Sequence, residues 1–351
     1  MLTTLKLKNK VITMKKLLAL LLTFVLVFSF AACGDTDTAS STPTPDNNQS
    51  ATYTPVDMTV ACMTGPTGIG MAKLMSNAEK KTTANNYTFT VASDAASITT
   101  KFVKGEINIA SVPTNVAATL YNKTNGKVRM LAVNTYGVLS ILEKGNSINS
   151  IADLKGKTIY STGKGQNPEF ILDYILKANN IDPEKDITIN FVSSDELVVK
   201  IISGEAEIAL APEPAATTVM TKNPNVRRAL SINDEWSKVS NTDLMMGCVI
   251  ALDSYVNENP QAVEKFLEEY EASIKFATEN IDETATHCAT YKITASDVIA
   301  KKAIPTCNLC YITGKDMKIN VLGYFNVLFN ANPTSIGGKM PADDLFYKSD
   351  K

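Results

Sequence analysis

The residues best placed to hold a ligand lie in two glycine-containing turns. Residues 64–68 read TGPTG and run into an apolar-periodic stretch, while residues 162–165 read TGKG. A turn that opens a helix offers free backbone N–H groups, which favour an anion or a polar acceptor. Neither turn has the G-x-G-x-x-G spacing of a dinucleotide cradle or the complete Walker A pattern. The turns therefore predict a small polar-ligand site, with a plain helix start as the alternative for either turn alone.

Histidine and cysteine usage argues against metal or redox chemistry. His287 is the single histidine of the chain, although metal sites and general bases use this residue more than any other. The CNLC motif at 307–310 lacks the second cysteine pair that a zinc site of this kind needs. We therefore predict no cofactor and no metal, and we expect a structural bridge such as Cys288–Cys307. Besides Cys33, the cysteines are Cys62, Cys248, Cys288, Cys307 and Cys310.

Length and charge limit the class of protein. The chain has 351 residues, of which 44% are hydrophobic, enough for about two domains. Lysine and arginine total 34 against 36 aspartates and glutamates, so the formal net charge is −2. This balance lacks the basic excess of a nucleic-acid-binding surface, and we predict no nucleic-acid partner.

The N-terminus has the composition of a secretory signal. From Met14, the natural start, two lysines precede an apolar run that ends in FAAC at Cys33. The run is too short for a spanning helix, and small residues precede the cysteine. We predict a signal peptide over residues 1–33 and a flexible polar tether over residues 34–54. The alternative is a buried first helix.

An internal repeat organises the remaining chain. Residues 101–120 align without gaps on residues 200–219, and eight of the 20 positions are identical. The same offset of 99 places the two glycine turns side by side. Each copy alternates strands and helices, which predicts a parallel sheet covered by helices. The sequence therefore predicts an α/β protein with two lobes of similar plan.

Two apolar runs, 131–142 and 244–252, lie between and after the repeats. We interpret them as two crossing strands that join the lobes. Lobe 1 is then formed by residues 55–136 and 249–351, and lobe 2 by residues 137–248. The chain after residue 253 has helical periodicity, and this C-terminal part is expected to pack on lobe 1.

Candidate ligand-binding residues follow from the rule that ligands bind beyond the carboxyl ends of strands in open α/β sheets. For any single residue, a capping or turn-forming role is the alternative. The first group of candidates, from lobe 1 and the first crossing strand, is Thr64, Gly65, Pro66, Thr67, Gly68, Ser93, Asp94, Thr114, Asn115, Thr135 and Tyr136. The second group is Thr162, Gly163, Lys164, Asn167 and Glu213.

The chain resembles the substrate-binding proteins of ABC importers, in the nitrate, sulfonate, taurine and thiamine-precursor group (NMT1/THI5-like). The resemblance is carried by the segments 63–75, 105–115, 151–176 and 204–214. It implies the bilobed type II periplasmic-binding-protein fold and delivery of a small solute to an ABC permease and its ATPase. The FAAC end resembles a bacterial lipobox, which implies a lipid on Cys33. The protein is then a monomer anchored to the outer face of the cytoplasmic membrane, and not an enzyme.

Two other functions stay open at this point. An enzyme on the same bilobed fold would resemble the thiamine-pyrimidine synthases, but His287 is far in sequence from every proposed loop. A sensor lipoprotein would use the same cleft without a transport role.

The sequence gives conflicting indications of ligand charge. Two helix starts and Lys164 suit an anion, whereas Asp94 and Glu213 suit a hydrogen-bond donor. No arginine stands in the proposed loops, which argues against a bidentate clamp on a carboxylate or sulfonate. We expect an uncharged or mixed heterocyclic ligand.

Overall fold

The computed structural model describes residues 53–348. The predicted signal peptide, the predicted lipidation site Cys33 and nearly all of the predicted tether lie outside these residues. Within the described range, no helix combines the length and the apolarity needed to cross a membrane.

Six strands of the described chain form the first sheet, in the order β11-β4-β10-β3-β1-β2. Strands β1, β2 and β3 are parallel, and β10 runs antiparallel to its neighbours β3 and β4. The strands of this sheet are β1 (Asp57–Met63), β2 (Asn86–Ala92), β3 (Ile109–Pro113), β4 (Val128–Thr135), β10 (Gly247–Leu252) and β11 (Leu309–Ile312).

Five further strands form the second sheet, in the order β7-β6-β8-β5-β9. Here β6, β7 and β8 are parallel, and β5 runs antiparallel to β8 and β9. The strands are β5 (Leu139–Lys144), β6 (Thr158–Ser161), β7 (Thr188–Phe191), β8 (Ile208–Pro212) and β9 (Val226–Ser231).

Helices follow most of the strands and cover both sheets. Those before the second crossing are α1 (Pro66–Ile69), α2 (Ala72–Glu79), α3 (Ala95–Val103), α4 (Thr114–Lys123), α5 (Asn167–Ala178), α6 (Ser194–Ser203), α7 (Ala215–Lys222) and α8 (Ile232–Val239). Those after it are α9 (Asp253–Glu258), α10 (Pro260–Glu279), α11 (Ile281–Thr290), α12 (Asp297–Ala303) and α13 (Gly314–Ala331). Short 3₁₀ helices occupy Ile151–Leu154, Ile304–Thr306, Pro333–Ile336 and Asp343–Leu345.

The two sheets repeat one topology. In each, the first parallel strand lies between the second and the third. The third is followed by the antiparallel strand that the chain forms directly after crossing from the other sheet. The register repeats as well: Ala61 pairs with Ala110 in the first sheet, and Tyr160 pairs with Ala209 in the second. Ala61 and Tyr160 are 99 positions apart, and so are Ala110 and Ala209, which is the offset found in the sequence. The predicted bilobed α/β fold is confirmed.

The chain crosses twice between the sheets, but each crossing differs from one continuous strand. In the first, β4 ends at Thr135 and β5 begins at Leu139. Between them, Gly137 packs so closely against Leu244 that a Cβ atom would clash. Its N–H donates to Asn233 Oδ1 at 3.1 Å, so a side chain takes the place of the backbone partner that this N–H would have in a sheet. In the second, β10 belongs only to the first sheet, and the loop 240–246 makes the connection.

The C-terminal helices pack mainly on the first sheet, and α13 also reaches the second half. Helix α10 buries Phe266 and Tyr270 in the same cluster as Val60 of β1. Helix α13 packs against both β4 and α5. Its Tyr324 ring lies 5.9 Å from the fully buried Trp236 ring of α8. Burying such large apolar side chains contributes about 1.5–3 kcal/mol each, so α13 stabilises the side of the molecule where the chain crosses.

The expected structural disulfide is wrong. All five cysteines of the described chain are buried free thiols, Cys288 and Cys307 among them. Burial raises the pKa of Cys62, Cys288 and Cys310 to about 12, because an apolar environment disfavours the thiolate. The thiols therefore stay protonated at neutral pH, and the CNLC pair lacks the exposed thiolate that redox exchange requires.

Candidate functional site

The strand ends that precede the candidate turns meet at one edge of each sheet. In the first sheet, Gly247 pairs with both Pro113 and Thr135, so the ends of β3 and β4 flank the start of β10. In the second, Pro212 at the end of β8 pairs with Leu139 at the start of β5. Because the chain crosses between the sheets at these edges, the carboxyl ends of the parallel strands of both sheets face one cleft.

A cavity of about 610 Å³ occupies this cleft and takes its walls from both halves of the chain. Most of the lining is apolar or uncharged. The lining residues are Met63, Thr64, Pro66, Thr67, Ala95, Pro113, Asn115, Val116, Thr135, Val138, Gly165, Gln166, Asn167, Pro168, Pro212, Glu213, Met246, Thr334 and Ser335.

Seven of the sequence-predicted residues lie together in this lining. Those from the first sheet and its helices are Thr64, Pro66, Thr67, Asn115 and Thr135, and those from the second are Asn167 and Glu213. The structure therefore brings candidates from both copies of the repeat to one cavity, although they are up to 149 residues apart in the chain.

The first glycine turn is held rigidly at the wall of the cavity. The Thr64 N–H donates to Ala92 O at 2.9 Å, and the Gly65 N–H donates to Ile293 O at 2.8 Å. The Ser111 hydroxyl donates to Thr67 O at 2.7 Å. Gly65 has a positive φ of 84°, and Gly68 lies behind the turn against the Met63 carbonyl. These two glycines shape the turn, while its threonines and proline form the wall.

Replacing Gly68 with alanine is expected to lower the free energy of unfolding by about 2–3 kcal/mol. The new Cβ would overlap the carbonyl oxygen of Met63, a backbone atom that cannot rotate away. Urea denaturation measures the change. The control is Gly105→Ala, where a Cβ meets open space and only the positive φ costs about 1 kcal/mol. Equal losses in the two variants would contradict the close approach.

Two of the predicted residues that do not line the cavity, Asp94 and Thr114, serve the local fold. Asp94 is the N-cap of α3, and its Oδ1 accepts from the Ser97 N–H at 2.9 Å. The neighbouring Ser93 is exposed beside this cap. Thr114 is fully buried, and its hydroxyl donates to Met245 O at 2.6 Å. A capping role was the stated alternative for both Ser93 and Asp94, and Asp94 takes that role.

The remaining predicted residues lie around the cavity without lining it. Tyr136 is half-buried against the core, and burial raises the pKa of its hydroxyl. The ammonium of the exposed Lys164 lies 5.9 Å from the Phe191 ring centre, and its neighbours Thr162 and Gly163 are half-buried. The second glycine turn therefore supplies Gly165 to the cavity wall but not its lysine.

Sequence reasoning missed several lining residues. Gln166 directly precedes Asn167 as the N-cap of α5, and its adjacency to a predicted residue was a usable signal. Met246 lies in the loop before β10, inside an apolar run taken as strand. Thr334 and Ser335 come from a 3₁₀ helix near the C-terminus, and no sequence pattern connected that segment to the cleft.

Glu213 is the charged residue of the lining, and its charge is already paired. Its side chain is fully buried and forms an ion pair with Arg228 of β9. Oε1 also accepts from the Thr306 hydroxyl at 2.8 Å, and Oε2 accepts from the Thr217 N–H at 3.2 Å. No arginine stands in the candidate loops themselves, but the long Arg228 side chain reaches the loop after β8 from β9, a strand two positions away in the sheet.

Two asparagines keep unused hydrogen-bonding capacity at the wall of the cavity. The Oδ1 atoms of Asn115 and Asn167 are buried and have no partner among the described residues. Leaving a buried acceptor unpaired costs about 1–3 kcal/mol. The two residues lie in the first turns of α4 and α5, one in each half of the chain. A ligand that donates hydrogen bonds to both would bridge the cleft.

His287 does not take part in the site. It lies on α11, where its Nε2 atom is 3.3 Å from Glu283 Oε1, and it does not line the cavity. No group of histidine, cysteine, aspartate and glutamate within residues 53–348 has an arrangement that could hold a metal ion.

A second cavity, of about 630 Å³, lies on the flank of the first sheet between α10 and the C-terminal segment. Its walls come from residues 131 and 264–348 only, so it receives nothing from the second sheet or from the candidate turns. The cleft cavity is therefore the better candidate site.

Known proteins share this architecture. Residues 128–284 match the family described as "NMT1/THI5 like". An ABC transporter structure from Parabacteroides distasonis is 21% identical and aligns with a TM-score of 0.70 over 83% of this chain and 98% of its own. The periplasmic aliphatic sulphonate binding protein SsuA from Escherichia coli is 13% identical, with a TM-score of 0.68 over 84% and 93% of the two chains.

The fold is that of the periplasmic binding proteins. The resemblance to the importer group is thereby confirmed. The periplasmic nitrate-binding protein NrtA from Synechocystis PCC 6803 shares this fold more distantly, at 15% identity and a TM-score of 0.51 over 75% and 74% of the chains. No curated protein sequence matches the chain significantly. At these identities, the periplasmic-binding-protein likeness describes the fold, and the ligand has to be argued from the cleft itself.

Proposed function

We propose that the protein is an extracytoplasmic solute-binding lipoprotein. It captures a small organic solute between its lobes and delivers it to the permease of an ABC importer. The observation that carries the proposal is the cleft cavity, whose walls combine the duplicated turns of both sheets. Solute-binding proteins close two lobes about a hinge to grip a ligand in this position. A lipid on Cys33 and the polar stretch 34–54 would tether the lobes to the membrane.

The solute we propose is an uncharged or mixed heterocycle that carries N–H or O–H donors. The three charged candidates gave conflicting indications of ligand charge, and none of them offers an unpaired charge to the cavity. Lys164 lies outside the lining, Asp94 caps a helix, and Glu213 is paired with Arg228. The acceptors of Asn115 and Asn167 stay unpaired. A nitrate or sulfonate would find no free cationic side chain in the lining, whereas a donor-bearing ring would satisfy both asparagines.

A thermal-shift screen of the soluble form from residue 34 onward tests this proposal. The panel holds sulfonates, nitrate, carboxylates, amino acids, thiamine precursors and flavins. A ligand at 100 times its dissociation constant adds about 2.7 kcal/mol of stability and raises the melting temperature clearly. We expect a heterocycle with N–H donors to raise the melting temperature. If only nitrate or sulfonates raise the melting temperature, the proposed ligand class is wrong. If no compound raises it, capture of all these solutes is contradicted and a sensor function is favoured.

An enzyme on the same fold is the less favoured alternative. The cavity lining combines uncharged polar side chains with a carboxylate that is already in an ion pair. A general acid or base needs a group free to exchange a proton with its substrate. Retention of an unmodified ligand after prolonged incubation, checked by mass spectrometry, separates capture from turnover.

A further inference from the structure

The carboxylate of Glu213 joins the two halves of the molecule. Glu213 follows β8 of the second sheet, and its ion-pair partner Arg228 belongs to β9 of the same sheet. The Thr217 N–H that it accepts from lies in the first turn of α7, which packs on that sheet too. The ion pair is therefore complete within the second half of the chain and does not need the first half to form.

Thr306 reaches this pair from the other side of the cleft. It ends the 3₁₀ helix Ile304–Thr306, whose Ile304 is buried in one cluster with Val60 of the first sheet. The Thr306 hydroxyl donates to Glu213 Oε1 at 2.8 Å and accepts from Arg228 Nη2 at 3.2 Å. One hydroxyl from the first half thus bonds both members of an ion pair of the second half.

Neighbouring contacts show that the halves touch on this side. A Cβ atom placed on Gly65 of the first turn would lie 3.3 Å from the Cδ atom of Pro214, the residue that follows Glu213. Helix α12 packs against α7, and Lys302 Nζ lies 3.4 Å from Thr221 Oγ1. The Lys302 contact is long and exposed and contributes little. The part-buried, charge-assisted bond of Thr306 is a stronger polar contact than that of Lys302.

We propose that Thr306 is a latch residue that holds the lobes closed through Glu213. Thr306 does not line the cavity, whereas Glu213 does. The latch therefore connects lobe closure to the wall of the ligand site without touching the ligand. In an open arrangement water would solvate both groups, so the bond favours the closed state by the net value of one charge-assisted hydrogen bond. Its role in solute retention rests on the proposed function, but its effect on closure does not.

Amide hydrogen exchange of the ligand-free protein from residue 34 onward tests the latch. In Thr306→Val, which keeps the side-chain shape, we expect about tenfold faster exchange at residues 64–68 and 213–217. Exchange in β3 and β8 is expected to stay at the wild-type rate, because the sheets remain folded. Thr306→Ser keeps the hydroxyl and is expected to exchange like the wild type. Thr218→Val is the matched control, because the Thr218 hydroxyl bonds Pro214 O within the second half.

The outcomes separate the latch from the proposed function. Faster exchange in T306V, with wild-type rates in T306S and T218V, supports the latch even if no solute of the panel binds. Wild-type exchange in T306V overturns the latch even if a solute binds tightly. Equal acceleration throughout the protein would show general destabilisation and would overturn the latch as well.

Discussion

Replacing Thr64 with tryptophan is expected to weaken solute binding about a hundredfold or more. Thr64 is exposed and lines the cleft cavity, so an indole at this position occupies the space of the ligand. Its backbone N–H bond to Ala92 O does not involve the side chain, so the fold is expected to persist. Isothermal titration with the panel compound that gives the largest thermal shift measures the loss, which corresponds to about 2.7 kcal/mol.

Thr100→Trp is the control for this prediction. Thr100 is exposed on α3 and does not line the cavity, so the same indole there is expected to leave affinity within about twofold of the wild type. Unchanged affinity in Thr64→Trp, with the protein folded, would remove the cleft cavity as the binding site.

Replacing Arg228 with methionine is expected to lower the free energy of unfolding by about 3 kcal/mol. The Glu213 side chain is fully buried, and Arg228→Met would leave its carboxylate without an ionic partner. Removing one member of a buried pair costs about 3–5 kcal/mol, and we take the lower end because the Arg228 side chain is 23% exposed. Urea denaturation monitored through Trp236 fluorescence measures the loss.

The double variant identifies the cause of that loss. Adding Glu213→Gln to Arg228→Met removes the unpaired charge and is expected to recover most of the stability. Lys265→Met, which breaks a surface pair with Glu268, is expected to cost less than about 1 kcal/mol. If Arg228→Met alone stays within about 0.5 kcal/mol of the wild type, the pair does not stabilise the loop after β8.

The fold was predictable because the repeat is visible in short buried strands. Residues 109 and 208 begin β3 and β8, and the offset of 99 between them is the offset of the aligned sequences. A buried parallel strand requires an apolar run, and the turn after it carries the ligand-facing residues, so both features leave a pattern in the sequence. The crossing at Gly137 left no such pattern, because its bend depends on contacts with Asn233 and Leu244.

The site was predictable only where local sequence determines position. The turn at 64–68 directly follows β1, and Asn167 begins α5 after the turn that follows β6, so their place in the cleft followed from topology. The partners of Glu213 did not follow, because Arg228 reaches it across β5 and Thr306 comes from the opposite lobe. A local sequence pattern does not encode contacts between elements 15 and 93 residues apart.

The central claim is that the solute binds between the lobes, and amide exchange with the panel's best ligand tests it most directly. The account predicts that saturating ligand slows exchange at both glycine turns, residues 64–68 and 162–165, because the ligand contacts one wall and closure shields the other. Slower exchange at both turns, with unchanged rates around the flank cavity at residues 264–271, is the predicted result. Unchanged exchange at both turns with the ligand bound would contradict the claim.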